Sequence, residues 1–189
     1  MKWNILLAAC CLLLLGLNVA LIWQNHSLKA QLAETPLTTT APAGTQVSDL
    51  RGFDVQGKPL LLSYNGGRPR KVLLFVFSPT CRFCAENWPN WWRIFAELNQ
   101  NAVQPAAVDV TASATPQFIV QHQMTAMPVF VQVDPKAVPE YHFHLTPQTI
   151  LVDVDGKVEK VWSGVLTSGD IAELEKLTNH PALPEQGRN

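Results

Sequence analysis

The chain has 189 residues, 47% of them apolar, a formal net charge of -1 and four cysteines. That length supports one folded domain with a proper core plus an appendage, and is short for two domains. The near-neutral balance and the absence of long basic or acidic runs exclude the electrostatic footprint of a nucleic-acid binder, and four cysteines are too few for a disulfide-stapled scaffold.

From Ile5 to Trp23 no residue is charged and Leu, Ile, Val and Ala dominate, a run of about 19 residues that just spans a hydrocarbon core of ~30 Å. Lys2 precedes it, Trp3 and Trp23 bracket it, and Asn18 is its one strongly polar member. The positive-inside tendency then places the short N-terminus in the cytoplasm and everything after Trp23 outside. A cleaved signal peptide or a lipoprotein signal at Leu7-Ala8-Ala9-Cys10 ranks below this anchor, because small residues do not close the run and most of its apolar length follows Cys10. Cys10 and Cys11 read as apolar, lipid-embedded side chains. Residues 1–25 are thus the expected anchor and residues 26–45, polar and rich in Thr and Pro, the expected tether. Residues 46–180 are the expected domain and residues 181–189 a tail.

Within the domain, Lys58 to Tyr64 reads as an edge strand, and Val72 to Phe77 as an apolar strand of the kind buried in a parallel sheet. Trp88, Trp91, Trp92, Phe95 and Leu98 recur at helical spacing and predict a helix that ends near Asn99 to Asn101. Val103 to Val110 predicts a strand, Thr115 to Gln123 a short helix, Pro128 to Val133 a strand and Pro135 to His142 another short helix. Thr149 to Val154 and Lys157 to Trp162 predict a hairpin closed at Asp155-Gly156. A last helix runs from a Ser168 cap to about Thr178. The order predicts an α/β sandwich with a mixed central sheet.

The chemistry concentrates at Cys81-Arg82-Phe83-Cys84, where the buried strand gives way to a helix. Unpaired N–H groups at a helix start favour a thiolate, which makes Cys81 the expected nucleophile. Cys84, one turn on, is placed to attack the mixed disulfide that Cys81 forms, as the resolving thiol. Arg82 adds a positive charge nearby, and Glu86 supplies a carboxylate within the first turn beyond Cys84; both are candidate modulators of the thiol pKa. The alternative of a structural zinc half-site lacks a second Cys or His pair at knuckle spacing. No cofactor and no metal is expected.

The segment Lys71-Val72-Leu73-Leu74-Phe75-Val76-Phe77-Ser78-Pro79-Thr80-Cys81-Arg82-Phe83-Cys84 resembles the strand and active-site motif of the thioredoxin-like superfamily, especially its TlpA-like membrane-anchored group. Pro89 stands where that family carries a helix proline, five residues after its second cysteine. The run from Leu145 through Thr146-Pro147 to Val158 resembles the family's cis-proline loop and the hairpin behind it. The resemblance covers about Val47 to Thr178. It implies a three-layer α/β/α sandwich, a cis bond at Thr146-Pro147, and a substrate-binding role for both residues, with Pro147 ranked above Pro128. Two departures stand out: Phe75 occupies the position of thioredoxin's buried acid, and Arg-Phe and Ser-Pro-Thr replace the tryptophan-containing entry.

The resemblance implies a thiol:disulfide oxidoreductase at a bacterial inner membrane, single-pass, with its domain in the periplasm. Its partners would be an exported client protein with a disulfide or thiol pair and a membrane thiol electron donor. Reduction of clients is favoured, as in cytochrome maturation or in the methylamine dehydrogenase accessory proteins. A peroxiredoxin is disfavoured, because Leu74 and Ser78 stand where its proline and threonine are needed. The runner-up is a Sco-like copper-binding metallochaperone, with His142 and His144 preceding the proline loop. Against it, Sco-like cysteines are separated by three residues, and an exposed His-x-His is more often solvated than ligating.

Overall fold

The computed structural model describes residues 3, 15–19, 21, 40–64 and 70–179. The chain divides into two compact units, Met1–Thr38 and Thr39–Asn189. In the first, residues 15–19 are helical. The span expected over residues 5–23, Cys10, Cys11, the tether up to Thr39 and the tail at 181–189 lie wholly or mostly outside the described residues. Among the described residues no helix is long and apolar enough to cross a membrane.

The second unit is built on strand β3 (Lys71–Phe77), whose every residue is buried. Its Val/Leu/Phe run has no polar face because both faces are covered: Leu73, Phe75 and Phe77 point to one core cluster, and Val72, Leu74 and Val76 to the other. Helix α1 (Arg82–Glu97) carries the chain across to β4 (Val103–Asp109), parallel to β3 from Lys71↔Val103 to Phe77↔Asp109. After a short helix α2 (Pro116–Gln121), capped by the Thr115 side chain, β5 (Val129–Phe130) adds in parallel on the far side of β4. Strands β7 (Gln148–Val152) and β8 (Val158–Ser163) complete a mixed sheet in the order β5-β4-β3-β7-β8, with β7 antiparallel to β3. Helix α4 (Ser168–Asn179) follows.

Three local corrections to the sequence reading follow. The expected strand Pro128 to Val133 is split: after β5 the backbone leaves the main sheet at Val131, whose N–H donates to Phe53 O at 2.9 Å. Gln132–Val133 (β6) then pairs with a strand the periodicity did not predict, β1 (Leu50–Phe53). Gly52 makes the approach feasible, since a Cβ there would lie 2.1 Å from Gln132 O. The predicted edge strand shrinks to β2 (Pro59–Leu62), antiparallel to β1. The β7–β8 turn is also wider than a two-residue hairpin. Asp153 N–H donates to Lys157 O, Asp153 Oδ1 accepts from the N–H groups of Asp155 and Lys157, and Gly156 takes a φ of +79°.

The layers follow from these pairings. One sheet face is covered by Trp88, Trp91 and Ile94 of α1, Ile119 of α2, and Ile171 and Leu174 of α4. The opposite face expects a helical layer and instead receives Leu50 of β1, Leu62 of β2, Tyr64, and the stretch through the one-turn helix α3 (Ala137–Glu140) to Phe143. Tyr64 and Tyr141 join their hydroxyls at 2.8 Å, and Tyr141 also donates to Ser48 O, tying ribbon to helix. This is an α/β fold with a mixed central sheet and one of its outer layers made largely of strand.

Candidate active site

Strand β3 ends at Phe77, and the next four residues turn the chain into α1. Cys81 N–H donates to Ser78 O at 3.1 Å, and Cys81 O accepts the first helical bond from Ala85 N–H at 3.2 Å. Cys81 is therefore the N-cap of α1, with extended backbone dihedrals (φ -80°, ψ 117°). Helical spacing then carries Cys84 to the inner face of α1, where it is 1% exposed and packs in the core with Trp88 and Trp91. Both cysteines are free thiols, Cys81 partly accessible and Cys84 buried. Pro89 sits inside α1.

The second half of the site arrives through the sheet. Because β7 lies antiparallel beside β3, with Val76↔Gln148 in register, the residues just before β7 fall at the end of β3 where Cys81 begins its helix. Those residues are Thr146 and Pro147, joined by a cis peptide bond. The Cys81 thiol donates to Thr146 O at 3.4 Å. Behind the loop, Gly164 N–H donates to Pro147 O at 2.9 Å. Phe83, two residues after Cys81, is 58% exposed, and Leu145, just before Thr146, is 44% exposed.

The two thiols are driven apart electrostatically. Partial burial acts to raise the Cys81 pKa, but hydrogen bonds from the Thr146 side chain, the Cys84 thiol and the backbone N–H groups of Cys84 and Phe83 outweigh it and hold it below the ordinary thiol value. These are the open amides of the helix start. Cys84 goes the other way. Burial, together with the neighbouring Cys81, pushes it up to about 12 against stabilising bonds from the Ser78 N–H and Thr146. At neutral pH the accessible sulfur is thus the one primed for attack, and the buried one is held as a neutral thiol.

Arg82 and Glu86, the candidate modulators of the thiol pKa, lie on the exposed side of α1. They pair with each other, Arg82 Nε to Glu86 Oε1 at 3.1 Å, with 87% of the arginine side chain exposed. Neither is among the leading groups that shift Cys81 or Cys84. Their i,i+4 spacing on a solvated helix face favours that pair over any contact with a sulfur. Phe75, at the position of thioredoxin's acid, packs on Trp91 with ring centroids 5.6 Å apart. His142 and His144 lie with their rings 6.0 Å apart, and among the described residues no group of three His, Cys, Asp or Glu side chains is placed to hold a metal ion.

Two contacts escape the periodicity argument. Asn87 is fully buried on α1, and its Oδ1 accepts from Leu166 N–H at 3.0 Å, pinning the helix to the loop before α4. A polar residue within the apolar stripe of Cys84, Trp88 and Trp91 is the signal that would have found it. Ser78, buried just after β3, has a backbone that acts to lower the Cys84 pKa; its only sequence signal is being the first polar residue after a wholly apolar strand.

No family model matches the chain. The thiol-disulfide oxidoreductase ResA of Halalkalibacterium halodurans is 24% identical over 138 residues, 72% of this chain and 77% of that protein. Among solved structures, StoA from Bacillus subtilis aligns with a TM-score of 0.53 at 21% identity, covering 73% of this chain and 100% of that one. A DsbF homologue from Corynebacterium diphtheriae aligns with a TM-score of 0.59 at 16% identity, covering 73% and 90%. The fold is thioredoxin-like. Within that fold the site joins a helix-capping thiol to a buried partner one turn on, and in sequence the chain is similar to the thiol-disulfide oxidoreductase ResA.

Proposed function

We propose that this oxidoreductase is anchored to a membrane by residues 1–25, faces the exterior of the cytoplasm, and reduces disulfides in exported client proteins. The observation that carries the reading is the asymmetry of the two sulfurs: Cys81 accessible with its pKa lowered, Cys84 buried with its pKa raised to about 12.

In the forward direction the Cys81 thiolate attacks one sulfur of the client disulfide. A Cys81–client disulfide forms, and the other client sulfur leaves as a thiolate that takes up a proton. Cys84 then loses its proton and attacks Cys81 Sγ, releasing the second client thiolate and leaving a Cys81–Cys84 disulfide. Two electrons have passed to the client, and a dithiol donor at the membrane restores the pair. Thr146 and Pro147, beside the attacking sulfur, receive the client's extended backbone, and exposed Phe83 and Leu145 offer apolar contact for its side chains. The uncharged run from Ile5 to Trp23 supports the anchor.

The reduction potential of the Cys81–Cys84 pair, measured in glutathione buffers, tests the direction. A reductant of clients gives a value near about -250 mV; a value near about -120 mV belongs to an oxidant and overturns that part of the reading.

A further inference from the structure

The proline loop is held from behind as well as by Cys81. Beyond the last β7–β8 pair, Gln148↔Ser163, the Pro147 carbonyl accepts from Gly164 N–H at 2.9 Å. Gly164 takes a φ of +87°, and a Cβ there would meet nothing within 4 Å, so the turn needs glycine for its backbone and not for space. The chain leaves β8 at this point, and residues 164–167 link it to α4. Where that link sits therefore decides where the Pro147 carbonyl sits.

Two side chains of α1 grip the link at one residue. Leu166 N–H donates to Asn87 Oδ1 at 3.0 Å, and Leu166 O accepts from Asn90 Nδ2 at 3.0 Å. Asn90 Nδ2 carries two protons and gives the other to Asn87 Oδ1 at 3.1 Å, so the two amides brace each other. The Leu166 side chain is 5% exposed, in the same core cluster as Cys84 and Trp88. A ring of contacts results. Cys81 caps α1 and its thiol donates to Thr146 O, Pro147 O is held by Gly164, and Leu166 returns the chain to α1 through Asn87 and Asn90.

Asn87 is unfavourable where it stands. It is 0% exposed on the face of Cys84, Trp88 and Trp91, and its Nδ2 has no hydrogen-bond partner among the described residues. Leu166 N–H can only donate, so the amide oxygen must face it and the nitrogen is left in the core. Leucine would continue the apolar stripe with no buried polar atom, so packing alone does not call for asparagine. What the amide supplies is the oxygen that holds Leu166.

We propose that Asn87 and Asn90 are positioning residues for client binding: by holding both backbone groups of Leu166 they fix the β8–α4 link, and through Gly164 they keep the Thr146-Pro147 backbone in place beside Cys81 Sγ. The proposal rests on the oxidoreductase reading, with Thr146 and Pro147 receiving the client, and adds to it two residues that touch neither client nor sulfur.

The test oxidises the reduced full chain with two disulfides: 5,5′-dithiobis(2-nitrobenzoate), which offers no peptide backbone, and insulin, which does. In each single turnover the oxidant's disulfide is reduced and the Cys81–Cys84 disulfide forms, and the rate is followed over a range of oxidant concentration. Asn87→Leu and Asn90→Ala are each expected to raise the half-saturating insulin concentration roughly fivefold, about the weight of one hydrogen bond. The limiting rate with insulin, and the rate with the small disulfide, should stay within about twofold of the parent's, since the groups that favour the Cys81 thiolate are untouched. Should Asn87→Leu fail to fold, the half-buried Asn90 decides alone. Half-saturation by insulin within about twofold of the parent's, or a loss that falls equally on both oxidants, overturns the proposal and leaves the oxidoreductase reading standing. A parent that neither oxidant converts to the Cys81–Cys84 disulfide overturns both, and Cys81→Ser marks that baseline.

Discussion

Replacing Cys81 by serine is expected to reduce thiol:disulfide exchange by at least about a thousandfold, to the background of uncatalysed thiols. The size follows from the site's division of labour. Cys81 is the accessible sulfur, its thiolate is favoured by the amides of Cys84 and Phe83 and by the Thr146 side chain, and the other thiol is 1% exposed and protonated at neutral pH. Serine keeps the N-cap geometry, so the fold survives and the loss is chemical. Cys84→Ser separates the two half-reactions: Cys81 still attacks, resolution fails, and a one-to-one mixed disulfide with the client accumulates. Assays of turnover and of adduct on non-reducing gels check both. Normal turnover by Cys84→Ser contradicts the two-step mechanism.

Trp91→Ala is expected to cost about 3–5 kcal/mol of stability, the range for deleting a fully buried aromatic side chain. Trp91 is 1% exposed, packs against Phe75 at 5.6 Å and Trp88 at 4.9 Å between centroids, and donates its indole N–H to Thr149 Oγ1 at 2.8 Å. Truncation leaves a cavity between α1 and the sheet and a buried hydroxyl without its donor, and the two penalties add. Trp92, next along the helix and only partly buried, should lose about half as much or less when truncated. Urea unfolding of the two variants checks the contrast. A Trp91→Ala loss within about 1 kcal/mol would mean that α1 is not anchored through this side chain.

What the sequence showed and what it concealed divides along physical lines. The wholly apolar run from Val72 to Phe77 and the helical recurrence of Trp88, Trp91 and Phe95 are read correctly because burial on both faces of a strand and on one stripe of a helix leaves a periodic trace. The cysteine pair is legible from its place at that junction, and the proline loop through its resemblance to the thioredoxin-like pattern. Strand β1 leaves almost no trace, since Leu50-Arg51-Gly52-Phe53 has a weak alternation and its decisive feature is a missing Cβ facing Gln132. β5 and β6 are two-residue pieces in different sheets, which no window of residues separates. The pairing of Arg82 with Glu86 was not legible for another reason. Proximity in sequence to a thiol does not set side-chain direction, and an i,i+4 partner in water is the easier contact. Asp109 falls inside the predicted strand Val103 to Val110 and Thr111 just beyond it, and only the parallel register of β3 and β4 brings Thr111 to Ser78.

The central claim is that one sulfur is activated at a helix start while the other is silenced by burial. Its most direct test is the pH dependence of alkylation of the reduced, folded protein by iodoacetamide, resolved by peptide mass spectrometry. The sign is fixed by the directions of the two shifts. A lowered pKa makes Cys81 thiolate below the ordinary thiol range of about 8.5, so its labelling rate should already have levelled off there. Cys84, held neutral, should stay unlabelled at neutral pH and react only as the pH approaches about 12. Equal labelling of the two cysteines across the neutral range, or a Cys84 that reacts first, would contradict the account.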